Sequence, residues 1–112
     1  MTMEIKVSSK NYKREVLESD VPVVLEFYTT DSRACRVLDP VISEVASDMG
    51  KKVKLCKIDA DAEPDIAEEY NVSEVPMLVR LDNGDLVTWL ESGDIVNGSS
   101  VNEEEVRGIF EM

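Results

Sequence analysis

The sequence predicts an α/β fold with a mixed five-stranded central sheet and helices on both faces, and three patterns indicate it. Residues 21–29, VPVVLEFYT, form an almost continuous apolar run, which is typical of a strand buried on both faces. From Arg33 the apolar residues recur at three- and four-residue steps, the period of an amphipathic helix. Two later apolar runs, 75–81 and 86–90, flank the turn DNGD and predict an antiparallel hairpin.

Shorter segments complete the order β-α-β-α-β-α-β-β-α. They are a weakly alternating edge strand at residues 3–7, a helix at 11–19, an alternating strand at 52–58, a second short helix at 64–70 and a final helix at 100–110. Because helices separate the first three strands, we expect crossover connections between them. The final two strands are joined by the tight turn, so the sheet must be mixed.

Helix boundaries are indicated by capping and breaking residues. The long helix is expected to bend at Pro40 and to end at Gly50. Ser100 and Glu103 have the spacing of a capping box at the start of the last helix. We interpret Tyr28 and Trp89 as packing residues.

Length, composition and charge limit the function classes. The chain has 112 residues, 43% hydrophobic and 32% charged, which fits one domain spanning residues 1–112 with a packed core. A net charge of −12 argues against nucleic acid and anionic membrane as partners. No apolar run approaches the roughly 20 residues of a membrane helix, and the N-terminus has no apolar signal core. We expect a soluble, cytoplasmic monomer.

The cysteine and histidine counts restrict the chemistry. Without an export signal, Cys35 and Cys56 are expected to be free or catalytic thiols rather than a structural disulfide. The chain has no histidine, which removes histidine-based catalysis and most zinc sites, so we predict neither a metal nor a cofactor. Alternation places Cys56 on the opposite strand face from Lys57, so Cys56 is predicted to be a core residue that forms no disulfide with Cys35.

A serine and a cysteine, Ser32 and Cys35, stand three positions apart where a strand leads into a helix, in TTDSRACRVLDP. Together with KIDADAEPDIAEEYNV, VPMLV and DNGD in this order, the segment PVVLEFYTTDSRACRVLDP resembles the thioredoxin family over nearly the whole chain. The resemblance implies the thioredoxin fold, a C-x-x-C dithiol at the start of the second helix and a cis-proline facing it. It also implies protein-disulfide oxidoreductase activity in electron transport and cell redox homeostasis.

The dithiol itself departs from the family pattern. Cys35 matches the resolving cysteine, whereas Ser32 stands at the position of the nucleophilic one. Asp31 replaces the usual tryptophan, and Arg33 and Ala34 replace the usual Gly-Pro. Thiol–disulfide exchange requires a thiolate, and a serine hydroxyl is far too weakly acidic to replace it. The chain as written is therefore predicted to lack dithiol turnover.

Other parts of the family's site have matching residues. Glu26 lies in the buried strand and matches the acid that handles protons for the resolving thiol, and Lys57 matches its basic partner. Pro76 matches the cis-proline. Backbone groups beside Pro76, with Val75 and Met77, can pair with an extended substrate segment.

Three hypotheses remain open. In the first, the parent protein is a disulfide oxidoreductase, with protein disulfides as substrates and a reductase of unknown type, and Ser32 is either an engineered or a native replacement. In the second, the chain is a non-catalytic binding module whose groove beside Pro76 selects partners through Asp31, Arg33 and Met77. In the third, the Ser32 hydroxyl stabilises a bound glutathione thiolate.

Overall fold

The apolar run after Pro22 forms the centre of a five-stranded mixed sheet. The computed structural model describes residues 4–112, and its strand order is β1-β3-β2-β4-β5. The strands are β1 (Glu4–Lys6), β2 (Val23–Tyr28), β3 (Lys54–Asp59), β4 (Met77–Asp82) and β5 (Asp85–Leu90). β3 lies between β1 and β2 and is parallel to both, whereas β4 is antiparallel to β2 and β5 to β4. The predicted crossovers, hairpin and α/β class are confirmed. Met3, the first residue of the predicted strand 3–7, lies outside the described residues.

Helices and turns cover both faces of this sheet. They are a π-helical turn (Lys13–Leu17), α1 (Arg33–Met49), α2 (Pro64–Glu69), α3 (Ser92–Ile95) and α4 (Glu103–Glu111), with a small hairpin of β6 (Val96–Asn97) and β7 (Ser100–Val101) between α3 and α4. One core lies between the sheet and α1, α3 and α4; the other lies between the sheet and the π-helical turn and α2. Within residues 4–112, none of the helices has the length and apolar character needed to cross a membrane.

The alternation of β3 sends its side chains into the two different cores. Val53, which precedes the strand, and Leu55 pack on the α1 side, whereas Cys56 and Ile58 pack on the α2 side. Cys56 is completely buried, and it and Cys35 are both free. The predicted phase of this strand is confirmed because one apolar residue is needed on each face at every second position.

Some boundaries differ from the sequence predictions. The segment 11–19, which was predicted to be a helix, forms only the five-residue π-helical turn, and Leu17 is 42% exposed. The capping box at Ser100 is wrong: Ser100 lies in β7, and Asn102 caps α4 by accepting a hydrogen bond from the Glu105 N–H at 3.3 Å. The hairpin of β6 and β7 displaces the helix start, and its two-residue strands are too short to give a periodic signal.

The long helix α1 begins and ends as its sequence indicates. It runs through Pro40 without interruption, with its apolar residues turned toward the sheet. Gly50 ends it with φ +59°, a conformation that glycine adopts without steric cost. The Gly50 N–H donates to the carbonyls of Ala46 and Ser47, which closes the last turn.

A buried arginine holds the C-terminal helix on the sheet. Arg80 of β4 is 3% exposed, and its Nη1 donates to the carbonyl oxygens of Ile109 and Phe110 at 3.0 and 2.9 Å. Its Nε also contacts the carboxylate of Asp82 at 2.9 Å. These bonds satisfy carbonyls at the end of α4 that have no partner within the helix.

Arg80→Met tests this role. We expect a loss of roughly 2–4 kcal/mol in the free energy of unfolding, because the carbonyls of α4 lose their charged donor while they stay buried. Urea unfolding measures the loss. Arg107→Met is the matched control, since Arg107 lies on the surface of α4 and pairs with Asp48 and Glu103. Equal losses in the two variants would contradict the assignment.

Candidate active site

Ser32 forms the start of α1 and is its N-cap. Its backbone is extended (φ −80°, ψ 121°), and its Oγ accepts a hydrogen bond from the Cys35 N–H at 3.2 Å. Serine is among the residues that favour this position, because its oxygen satisfies one of the free N–H groups of the first turn. The side chain predicted at the nucleophile position therefore stabilises the helix that carries Cys35.

Cys35 is nearly buried in the first turn of α1, with 6% of its surface exposed. Burial raises the pKa of its thiol, and the charges of Glu26 and Asp31 raise it further, while hydrogen bonds with Ser32 and the Thr29 backbone lower it. The pKa remains above its ordinary value. Since the thiolate is the attacking species, Cys35 in this environment is a weak nucleophile at neutral pH.

A cavity of about 310 Å³ connects Cys35 with the buried acid of β2. Its lining includes Glu26, Tyr28, Thr29, Cys35, Asp39 and Lys57. Cys35 and Glu26 thus line one common cavity.

Glu26 lies directly opposite Lys57 in the parallel pairing of β2 and β3. It is 1% exposed, and within residues 4–112 its Oε1 has no hydrogen-bond partner. Burial raises the pKa of Glu26 from 4.5 to about 7; Lys57 opposes the shift, and Asp39 and Glu4 add to it. A carboxyl group with this pKa can both hold and release a proton near neutral pH.

Lys57 was predicted as the partner of Glu26, but its nearest carboxylate is Asp39 on α1. The Nζ of Lys57 lies 2.8 Å from Asp39 Oδ1, 3.8 Å from Glu4 Oε1 and 4.0 Å from Glu26 Oε1. Burial lowers the pKa of Lys57, but the hydrogen bond with Asp39 and the surrounding carboxylates outweigh that effect and raise it. The sequence analysis did not include Asp39 among the site residues. Its position four residues after Cys35, one helical turn along α1, places it on the same helix face and could have indicated it.

The Val75–Pro76 peptide bond is cis and lies at the same end of the sheet as the start of α1. Met77, the next residue, pairs with Phe27 near the end of β2, and the loop to α1 leaves from that end. Thr29 and Val75 also line one common cavity. The sheet topology therefore brings residues 75–77, which we call the proline segment, close to the α1 N-terminus.

Asp31, Arg33 and Ala34 surround the cap residue at the surface. Asp31 and Arg33 are exposed and Ala34 is half-buried. An Nη2 of Arg33 donates to Ser99 Oγ at 3.3 Å, which links the first turn of α1 to the β6–β7 hairpin. The hairpin thus flanks the site, and no pattern in the sequence predicts it.

The proline segment has a second neighbour that sequence reasoning missed. Ser92 of α3 donates through its Oγ to the Val75 carbonyl at 3.4 Å. Beside it, a cavity of about 320 Å³ is lined by Glu74, Met77, Glu91 and Asp94 among others. Within residues 4–112, no three His, Cys, Asp or Glu side chains are grouped so that they could hold a metal ion.

Sequence comparison with known proteins identifies relatives of this chain. The family model for thioredoxin matches residues 3–103. The thioredoxin of Rickettsia bellii (strain RML369-C) is 35% identical over 83 residues, 74% of this chain and 79% of that protein. Thioredoxin 1 of Nostoc sp. (strain PCC 7120) is 33% identical over 87 residues, 78% of this chain and 81% of that protein.

The chain belongs to the thioredoxin family. The resemblance inferred from the motifs and the thioredoxin fold are thereby confirmed. Thioredoxins act by thiol–disulfide exchange, and this chain keeps the scaffold of that chemistry. The structure brings Ser32, Cys35, Glu26 and Lys57 together. The roles predicted for them and for the groove residues Asp31, Arg33, Ala34, Val75, Pro76 and Met77 stay predictions.

The protonation of Glu26 predicts how stability depends on pH. A folded-state pKa of about 7, above the ordinary 4.5, means that the folded chain retains a proton that the unfolded chain releases. The contribution of Glu26 to the free energy of unfolding is therefore most favourable below the unfolded pKa, and it is lost as the pH rises through the folded pKa. Relative to the parent chain, Glu26→Gln should therefore gain roughly 3 kcal/mol of unfolding free energy between about pH 4 and about pH 8.

Urea unfolding of both proteins across this pH range measures the gain, with Glu44→Gln on the exposed side of α1 as the control. A difference between Glu26→Gln and the parent chain that does not change with pH would show that folding does not raise the pKa of Glu26.

Asp39→Asn tests the influence of Asp39 on Glu26. Removing this carboxylate takes away a negative charge that raises the pKa of Glu26, and it leaves Lys57 free to approach Glu26. We expect the pKa of Glu26 to fall. A carbon-13 NMR titration of its side-chain carboxyl measures it, and Asp48→Asn, also on α1, should leave the pKa unchanged. An unaltered pKa in Asp39→Asn would refute the coupling.

Proposed function

We propose that this chain carries the machinery of a thioredoxin-type protein-disulfide oxidoreductase, and that Ser32 prevents its dithiol cycle. The observation that carries the proposal is the buried carboxyl of Glu26, whose Oε1 has no hydrogen-bond partner within the described residues, in the cavity that it shares with Cys35. A buried carboxyl group lowers the stability of the fold, which favours a functional role for it. The role we infer is proton exchange with the Cys35 thiol.

The proposed cycle applies to a chain with cysteine at position 32. That thiolate attacks one sulfur of a substrate disulfide, which forms a mixed disulfide and releases a substrate thiolate. Cys35 loses its proton to the ionised form of Glu26 and attacks the sulfur at position 32. The second substrate thiolate leaves, so two electrons have moved to the substrate and residues 32 and 35 are disulfide-bonded. A reductase of unknown type would restore the dithiol.

With Ser32 in place, neither step of this cycle can proceed. The hydroxyl is not ionised at neutral pH, and it cannot form a disulfide with Cys35. Cys35 alone could form a mixed disulfide with a substrate, but its burial and raised pKa slow that reaction. The chain as given should therefore show no dithiol turnover.

The proposed substrate groove passes between the α1 N-terminus and the proline segment. An extended segment of a disulfide-containing protein would pair with the backbone at Val75 and contact Pro76 and Met77, while Asp31, Arg33 and Ala34 form the opposite side. Arg33 is already fixed by Ser99. Since both cysteines are free, we infer a reducing compartment, the cytoplasm. The net charge of −12 favours a monomer, because copies repel each other.

A second candidate is a non-catalytic binding module that uses the same groove. It is favoured by the hydrogen bond of Ser32 to the Cys35 N–H, because serine is well suited to cap the helix and leaves the groove intact without a reactive thiol. In this candidate, Asp31, Arg33 and Met77 would select the partner.

Ser32→Cys distinguishes the two candidates. With dithiothreitol as the electron source, we expect Ser32→Cys to reduce a protein disulfide roughly tenfold faster than the parent chain or more, because the second step becomes intramolecular. The double variant Ser32→Cys with Cys35→Ser is the control and should lose the gain. If Ser32→Cys is no faster than dithiothreitol alone, the oxidoreductase proposal fails and the binding module is favoured.

A further inference from the structure

The exposed apolar side chains are concentrated in one groove at the β5 edge of the sheet. Among the described residues five large hydrophobic side chains are exposed, and three of them line one cavity of about 510 Å³. We call this cavity the Trp89 groove, and its apolar lining consists of Tyr12, Leu17, Tyr70, Met77, Val79, Leu86 and Trp89. Trp89 is 51% exposed, so it is not the packing residue that the sequence suggested.

A β-bulge in β5 puts two of these side chains on the same face. Leu86 pairs with Leu81 and Trp89 with Val79, while Thr88 pairs with Arg80, so Val87 is the extra residue. In a regular strand, residues three apart face opposite sides of the sheet. The bulge turns both Leu86 and Trp89 toward the α2 side, and bulges commonly re-aim side chains in this way.

The walls of the groove are held in place by specific contacts. The hydroxyls of Tyr12 and Tyr70 are hydrogen-bonded, which joins the π-helical turn to the end of α2. At Gly84, with φ +81°, an added Cβ would lie 3.0 Å from the Leu17 carbonyl oxygen, so the hairpin turn packs closely on the π-helical turn. The groove is therefore preformed between fixed elements.

All charges that line the groove are negative. They belong to Glu69 and Glu91, and within the described residues no lysine or arginine lines it. The cavity beside Pro76 shares Met77 and Glu91 with the groove and adds Glu74 and Asp94, again without a basic residue. The two cavities thus form one continuous acidic-rimmed surface that extends from the proline segment to Trp89.

We propose that the Trp89 groove binds a segment of a partner protein in which large apolar side chains lie between lysines or arginines. The apolar side chains would fill the space over Met77 and Trp89, and the basic ones would approach Glu69 and Glu91. A second copy of this chain fits poorly, because each copy carries a net charge of −12. Binding requires no cysteine, so it is independent of the proposed thiol chemistry.

The protein contains a single tryptophan, Trp89, so its fluorescence reports on the groove directly. The probe is a six-residue, cysteine-free peptide with two central leucines flanked by lysines on both sides. We expect a saturable blue shift of the Trp89 emission that weakens with added salt. A peptide with glutamates in place of the lysines should produce no saturable shift.

Surface variants locate the binding. Leu86→Ser should weaken binding roughly tenfold through lost apolar contact. Val87→Ser, at a residue that is also exposed but lies outside the groove, should leave binding unchanged. Glu69→Gln and Glu91→Gln should each weaken binding roughly fivefold.

Several results would overturn the proposal. They are equal binding of the two peptides, equal effects of Leu86→Ser and Val87→Ser, or no saturable shift at all. A blue shift that grows with protein concentration without peptide would identify a second copy as the occupant and would also overturn it. None of these results bears on the reductase assay with Ser32→Cys, so the two proposals fail independently.

Discussion

The burial of β2 on both faces is the constraint from which the geometry of the site follows. Its alternate residues pack into the two cores, so Glu26 on this strand is closed off from bulk water. Parallel pairing with β3 brings Lys57 opposite it, and the helix that follows β2 must pack back on the same sheet. The thiol of Cys35 and the carboxyl of Glu26 therefore meet in one cavity as a consequence of the strand order.

The serine at position 32 fits the geometry of the fold although it supplies no thiol. As an N-cap, serine satisfies a backbone N–H and stabilises α1, so nothing in the local structure opposes it. Nucleophilic attack, however, depends on the ionised sulfur. The fold and the reaction place different demands on this position. The fold requires a side chain that accepts a hydrogen bond, and the reaction requires a thiol that ionises.

The electrostatics of the site arise from the positions of individual charges and not from the net charge. A single lysine, Lys57, lies among three carboxylates and bonds most closely to Asp39 at the cavity mouth. The Oε1 of Glu26, the most buried of the three, has no hydrogen-bond partner within residues 4–112, and burial keeps the pKa of this residue raised. On the opposite side of the sheet, the acidic side chains of Glu69 and Glu91 line the apolar Trp89 groove and are exposed to solvent.

The sequence by itself determined the elements whose signals are local and periodic. The apolar run of β2, the helical period of α1, the hairpin at residues 82–85 and the spacing of Ser32 and Cys35 indicated both the fold and the lost thiol, because each depends on residues close together in the chain. The tertiary structure decided the partner of Lys57, the bulge at Val87 and the cap at Asn102. These features depend on which strands pair and on how the β6–β7 hairpin shifts the last helix. Such long-range packing choices leave no periodic trace in the sequence.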